Sequence, residues 1–490
     1  MQYGFVIDHT SCIGCHACTV ACKAENDVPV GNFRTSVKYT EQGTFPDIKR
    51  HFLVQRCNQC TDAPCVTICP VNALEKRPDG IVDLDRDACI GCKACMQACP
   101  YDAIYLNEDL GAVEKCHFCA HRVDRGLEPA CVTVCPVDAI IAGDFHDPQS
   151  KVSLLVRQND TKVRRPEQQT GPNVHYLGAD DVSLRPGAAA RPATYLWSDR
   201  PPTKSEPWPA SLPLEPDAQV VLDVGHRVEW GWPVALYLVT KGIAAGAAVL
   251  APFATALGLG GFAERYLPEV LALAFTLITL FLLVEDLAKP WRFYRLLTRP
   301  NWQSWLVRGG IVLGAFGALL TASIAARRLG MEATAEGLRW AGAVVGLGVA
   351  GYTAFLFAQC KGRDLWESRL LLPHLVAQAA MCGGACLLPF APASLPLKLV
   401  TIAGMLAHLV LAVAERFRPH ETDNARQAAA FLGTITLGPL RPYRDGLLIG
   451  VPLSLLLILF LPTAAFIPVL GGLYLYEHAY IRAGQLPPLS

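Results

Sequence analysis

Charge is what this sequence has least of. Asp, Glu, Lys and Arg make up 18% of its 490 residues, against about 25% in ordinary soluble domains. Neither sign dominates, since 43 basic and 43 acidic residues give a formal net charge of zero. Nucleic acid and strongly acidic substrates therefore lose the electrostatic signature they usually leave. The opening residues MQYGFVIDHTSC lack a basic segment followed by an apolar run, and they lack a twin arginine. No secretory signal is read there. Such a chain is expected to meet reducing cytosol, where cysteine-rich sequence points to metal rather than disulfides. Export on a partner's signal is the remaining route out.

What is present is unevenly spread. Hydrophobic residues reach 52%, and mean hydropathy is +0.28. Of 19 cysteines, sixteen lie between Cys12 and Cys135. Cys360, Cys382 and Cys386 fall in apolar sequence and read as small apolar residues. Residues 1–145 are polar, with short β-type runs such as Gly4–Asp8 and Ile81–Leu84 leading into cysteine loops. Residues 146–226 read as irregular. Eight prolines between Pro186 and Pro216 make the later part an extended tether.

From Trp230 onward, uncharged stretches of Leu, Ala, Gly and Val run long enough to cross a hydrocarbon core of roughly 30 Å. About eight are expected: 232–253, 267–287, 305–326, 338–359, 371–390, 395–415, 445–462 and 463–481. Buried soluble helices rarely run this long without charge. Gly342, Gly346 and Gly351 suit close helix packing in lipid. With eight spans, fifteen Lys and Arg share the side of the N-terminal domain. Five (Arg265, Arg327, Arg328, Arg339 and Lys398) take the other. The bias predicts a cytoplasmic cysteine domain and a location in the cell's inner membrane.

The sixteen cysteines form four groups of four. They are Cys12, Cys15, Cys18 and Cys22; Cys57, Cys60, Cys65 and Cys69; Cys89, Cys92, Cys95 and Cys99; and Cys116, Cys119, Cys131 and Cys135. The first and third share the spacing C-x2-C-x2-C-x3-C. Three closely spaced thiolates can wrap three corners of an iron–sulfur cubane, while the fourth ligates the other cluster of a pair. Proline follows the last cysteine of three groups (Pro70, Pro100, Pro136), but Lys23 follows Cys22. Zinc accepts C-x2-C pairs too, yet the repeated four-cysteine run favours iron–sulfur. A [3Fe–4S] centre usually follows loss of a ligand, and all sixteen positions are cysteine. Four [4Fe–4S] clusters is the expected count.

The motifs CIGCHACTVAC, CNQCTDAPCVTICP, CIGCKACMQACP and KCHFCAHRVDRGLEPACVTVCP make residues 1 to about 180 resemble a known family. It is the four-cluster iron–sulfur subunit family of dimethyl sulfoxide reductase-type molybdoenzymes. The resemblance implies clusters at Cys12/Cys15/Cys18/Cys135, Cys22/Cys116/Cys119/Cys131, Cys69/Cys89/Cys92/Cys95 and Cys57/Cys60/Cys65/Cys99. It also implies that the first lies near a catalytic subunit and the last near the membrane.

WGWPVALYLVTKGIAAGA, DLAKPWRFYRLLTRPNWQSW and the closing YIRAGQLPPLS make 227–490 resemble the polysulfide-reductase-type (NrfD-like) membrane subunit. That likeness implies exchange with menaquinone or ubiquinone and no haem. His374 and His408 are the His residues well inside the spans, and haem ligation is the alternative for them. A quinone site needs an apolar slot, hydrogen-bond partners and a proton route, and ionisable residues in or beside spans are candidates. Trp232, Tyr237, Lys241, Glu285, Asp286, Arg292 and His374 are the candidates read here. Trp230, Trp232 and Tyr237 also suit an interfacial aromatic belt. Lys241 also suits an inward-facing structural pair with a carboxylate.

The fold expected is an α+β ferredoxin-like domain (1–180), the tether (181–226), and an all-α membrane bundle (227–490). Pterin-binding and nucleophile motifs are lacking, so substrate conversion is expected on a separate molybdopterin subunit carrying molybdenum or tungsten. The function expected is electron transfer between that subunit and the quinone pool, with membrane anchoring. Two alternatives are a proton-translocating module using Lys241, Glu285, Asp286 and Glu415, and a membrane-bound polyferredoxin acting alone.

Overall fold

The computed structural model describes residues 1–190, 215, 217–225, 228–433 and 444–489. Two of the four sheets among the described residues frame the N-terminal part. In the first, β1 (Tyr3–Asp8) is flanked antiparallel by β4 (Ile140–Asp144) and parallel by β5 (Val174–Leu177). In the second, β2 (Thr35–Thr44) pairs antiparallel with both β3 (Asp47–Arg56) and β6 (Ala218–Leu222). Phe5, Val6 and Ile7 are fully buried in β1.

The residue after each fourth cysteine decides how its helix ends. Short helices stop at Ile68, Ala98 and Thr133 ahead of Cys69-Pro70, Cys99-Pro100 and Cys135-Pro136. Proline pushes its predecessor out of the helical region, and Cys69 and Cys99 are extended, with ψ 117° and 114°. Lys23 imposes no such break, so α1 (Ala17–Asn26) runs on past Cys22. The two C-I-G-C loops share one conformation. Gly14 and Gly91 have φ 69° and 71°, and His16 and Lys93 both have φ 61°.

The described part of 146–226 is more ordered than its composition suggests. A helix covers Lys151–Gln158, and β5 lies beside β1 with Val174 and Tyr176 fully buried. Four residues with a central His are too few to show a strand period. The expected tether also changes. Its two ends fold onto the cysteine domain, where Val182, Ala188, Ala189, Ala218 and Val220 share a small core. The stretch 191–214, with most of the prolines, lies outside the described residues.

Among the described residues, six helices are long and apolar enough to cross a membrane: Trp232–Phe253, Leu267–Glu285, Trp305–Arg328, Glu332–Ala358, Leu371–Phe390 and Leu395–Phe417. Their α-helical cores are α2 (Trp232–Leu250), α3 (Leu267–Glu285), α4 (Trp305–Arg328), α5 (Glu332–Ala358), α6 (Leu371–Leu387) and α7 (Leu395–Phe417). The chain is a multi-pass membrane protein. The expected final pair departs from that pattern. Gly446–Phe460 is shorter, and α8 (Phe466–Gln485) carries Glu477, His478 and Arg482. The first span is 89% buried, against 33% for the third and sixth, so α2 is the axis of the bundle. It crosses α6 at Gly246 and Gly383, where a Cβ on either would strike the other helix's backbone. Gly346 plays a milder part, 3.4 Å from the Ala245 carbonyl when given a Cβ.

Candidate functional site

The structure gathers the sixteen cysteines into four tetrads. Tetrad I (Cys12, Cys15, Cys18, Cys135) rings one small cavity. Tetrad III (Cys69, Cys89, Cys92, Cys95) and tetrad IV (Cys57, Cys60, Cys65, Cys99) each ring another. In tetrad II, Cys22 faces Cys116, Cys131 and Cys119. Each tetrad joins cysteines distant in sequence because the fourth cysteine of every group leaves its own loop.

The donor set fits iron–sulfur clusters. Burial first, then neighbouring thiols, push Cys22 and Cys60 up to about 12. The same causes push Cys119 up to about 11. Four crowded thiols resist ionisation unless cations stand among them. Among the described residues, no three Cys, His, Asp or Glu side chains are grouped tightly enough for a single ion. A polynuclear cluster wants that wider ring; a single zinc wants a tight tetrahedron.

Neighbouring cysteines order the tetrads. Cys18 of I faces Cys131 of II. Cys57 of IV faces Cys116 of II. Cys95 of III faces Cys65 of IV. The line is therefore I, II, IV, III. At one end Cys15 is exposed, with Ile13 and Val20 exposed nearby at 55% and 64%. At the other, tetrad III rests on the membrane bundle.

That contact corrects the expected order, which put Cys57/Cys60/Cys65/Cys99 next to the membrane. The loop after α3 hydrogen-bonds the ligand loop of tetrad III directly. Ala288 and Lys289 donate their backbone N–H groups to the carbonyls of Gly91 and Ile90, each at 3.2 Å. Asn301 Nδ2 donates to Cys69 O at 2.9 Å, and Arg292 Nη1 to Cys89 O at 3.1 Å. Trp230 Nε1 donates to Cys92 O at 3.4 Å. Trp230 is buried and stacked on Trp366 at 5.7 Å, so it is a docking residue rather than part of an aromatic belt. Tetrad IV touches the bundle through Cys99, whose carbonyl packs against Gly362.

Further polar contacts hold the two parts together. Arg165 Nη2 makes a two-point pair with the Asp364 carboxylate at 2.9 and 2.8 Å, both side chains being buried. Gln485 Oε1 accepts from Gln97 Nε2 and from the Trp230 backbone N–H, each at 3.0 Å. Arg164 Nη2 donates to Leu489 O at 2.5 Å. The closing segment thus works as a clasp. None of these long-range partners leaves a periodic trace in sequence.

The expected quinone-site residues divide. Arg292 is used in docking, and Asp286 pairs with Lys93 of the tetrad III loop at 3.4 Å. Glu285 and Trp232 are exposed beside them. Tyr237 is buried, its ring 5.9 Å from Lys241 Nζ. Lys241 is buried in α2, donating to Thr353 Oγ1 at 2.5 Å and Ala350 O at 3.2 Å. Its charge faces Glu477, a residue that sequence reasoning missed. Gln378 Nε2 donates to Glu477 Oε1 at 2.6 Å. One helical turn before Gln378, His374 Nε2 meets His408 Nδ1 at 2.7 Å. Glu415 accepts from Ser368 at 2.6 Å nearer the cysteine domain.

Comparison with known proteins places these features. Residues 9–26 match a 4Fe–4S binding domain, 48–145 a 4Fe–4S dicluster domain, and 221–463 the family described as polysulphide reductase, NrfD. The chain is 43% identical over 203 residues to a subunit of the tetrathionate reductase of Salmonella typhimurium, covering 40% of this chain and 80% of that one. It is 42% identical over 173 residues to one of the chains of the polysulfide reductase of Wolinella succinogenes, covering 35% and 90%. It is 39% identical over 198 residues to a subunit of the sulfite dehydrogenase of Allochromatium vinosum, covering 36% and 82%.

Proposed function

This chain belongs to the iron–sulfur subunit family of molybdoenzyme reductase complexes, with an NrfD membrane domain fused behind it, and we propose that it links the quinone pool to a separate molybdopterin catalytic subunit. It is the electron-transfer and anchor subunit of that complex. The observation that carries this reading is the line of tetrads between an exposed apolar face and the membrane bundle. Four [4Fe–4S] clusters, one per tetrad, supply one-electron transfer when bound. The chain's own residues hold each cluster away from water and fix its distance to the next.

The catalytic subunit would dock on the face around Cys15, Ile13 and Val20. Quinone would bind where Trp232, Glu285 and the Lys93–Asp286 pair meet the lipid edge beside tetrad III. The contact of His374 Nε2 with His408 Nδ1 at 2.7 Å supports reading them as a hydrogen-bonded pair. Eight spans remain the reading, since Gln485 returns to the cysteine domain. Of the fifteen positive residues on that side, Arg292, Arg299 and Arg363 dock onto the cysteine domain. Arg327 and Arg339 opposite them hold Glu269. The bias shrinks on both faces without changing sign, and it supports an inner-membrane protein with its cysteine domain in the cytoplasm. Native purification tests the partner. A large molybdenum- or tungsten-containing chain is expected to come down with this one, and repeated recovery of the chain alone would favour a free polyferredoxin.

One observation favours proton movement as a second role. Glu415, His408, His374, Gln378, Glu477 and Lys241 step from the cysteine-domain side toward the middle of the bundle. Buried ionisable groups at that depth are costly and mark function. In proteoliposomes of the whole complex, Lys241→Met and Glu477→Gln are each expected to lower proton uptake per electron while electron transfer persists. Unchanged uptake in both variants would remove this role.

A further inference from the structure

Two of the buried cations of the cysteine domain, Arg56 and Lys115, are each 2% exposed. Each ends a strand, and each stands immediately before the first cysteine of a group, Cys57 or Cys116. Side chains alternate along a strand, so each cation points away from its neighbouring cysteine and toward a different tetrad. Arg56 Nη1 donates to Cys131 Sγ of tetrad II at 3.1 Å, and its charge also faces Cys116 of II and Cys18 of I. Lys115 Nζ donates to Cys116 O at 2.9 Å and to Val82 O, and its charge faces Cys57 and Cys65 of tetrad IV.

Three other buried cations are matched to carboxylates: Arg34 to Glu114 at 3.2 Å, Arg165 to Asp364, and Arg339 to Glu269; Arg164 and Arg363 donate to the Leu489 carbonyl and to Gln97 Oε1 at the junction with the bundle. Arg56 and Lys115 face thiols instead. Arg56 has two further nitrogens, Nε and Nη2, that are buried without a partner among the described residues. Buried charged donors are expensive to leave open, so the site is incomplete until acceptors stand beside it. Cluster sulfurs at tetrads I and II would supply them. Tetrad III is different, because the charge reaching Cys92 is the negative one of Asp286.

We propose that Arg56 and Lys115 are positioning residues that raise the reduction potentials at the two inner junctions, Arg56 between tetrads I and II and Lys115 between II and IV. This rests on the iron–sulfur reading and on the tetrad pairing given above. Reduction adds one negative charge to a cluster, and a fixed cation in a low-dielectric interior stabilises that added charge. Tetrad III, without such a cation, serves as the internal control.

The test is an EPR-monitored redox titration of the full chain in detergent or nanodiscs. Arg56→Gln should lower the reduced-to-oxidised ratio at fixed potential by about tenfold at I and II, about 59 mV for one electron. Lys115→Gln should do the same at II and IV. Tetrad III should hold its potential in both. Arg56→Lys, which keeps the charge but withdraws donors, should shift I and II in the same direction by less, and it carries the test if the glutamine variants do not assemble. Unshifted potentials in assembled variants, Arg56→Lys included, would overturn the proposal, as would an equal shift at all four tetrads. Absence of iron–sulfur signals from the unmodified chain would instead sink the iron–sulfur reading on which it rests.

Discussion

Replacing Cys92 by serine is expected to cut the cysteine domain off from quinone altogether, while replacing Cys57 leaves one cluster in contact. Cys92 belongs to tetrad III, whose ligand loop is hydrogen-bonded to Trp230 and to the loop after α3. Cys57 belongs to tetrad IV, one step further in. In Cys92→Ser, quinone added to the chain should change the oxidation state of none of the remaining clusters. In Cys57→Ser it should change that of tetrad III alone. EPR spectra before and after quinone addition distinguish the two. Equal responses in both variants would place the quinone contact elsewhere.

The second large effect is on how the two halves hold together. Asp364 sits between spans and accepts from Arg165, Gln168 and Thr422, the first two from the cysteine domain. Removing one partner of a buried pair leaves an uncompensated charge and costs about 3–5 kcal/mol. Asp364→Ala should therefore expose the domain junction to protease and lower its thermal transition. Arg185 and Asp423 also pair across the halves at 2.9 Å, but in an exposed setting. Arg185→Ala should cost about 1 kcal/mol or less, as exposed pairs do. Similar losses in the two variants would show that burial does not govern this junction.

These predictions draw on features of different legibility. The four groups could be read from spacing, because three close thiolates can wrap three corners of a cubane, whereas their pairing into tetrads comes only from the family resemblance. Proline after cysteine also reads directly, since Pro70, Pro100 and Pro136 end their helices while Lys23 does not. Six spans follow from length and hydropathy alone. The end of the bundle was harder, because α8 spends its buried face on Glu477 and on the Gln485 clasp. The docking set of Trp230, Asn301, Arg363 and Gln485 is built from single residues meeting partners 138 to 388 positions away. No local period encodes such meetings. The same holds for which tetrad meets the membrane. Pairing is implied by the family resemblance, but placement depends on which loop the bundle grips.

The central claim is that electrons pass between membrane quinone and tetrad III within this one chain. The direct measurement takes the purified chain in nanodiscs, without a catalytic partner, its clusters reduced with dithionite and the excess removed. Quinone is then added and the visible absorbance of the clusters followed. Prompt reoxidation that disappears in Cys92→Ser is the predicted result. Clusters that stay reduced in the intact chain would contradict the account.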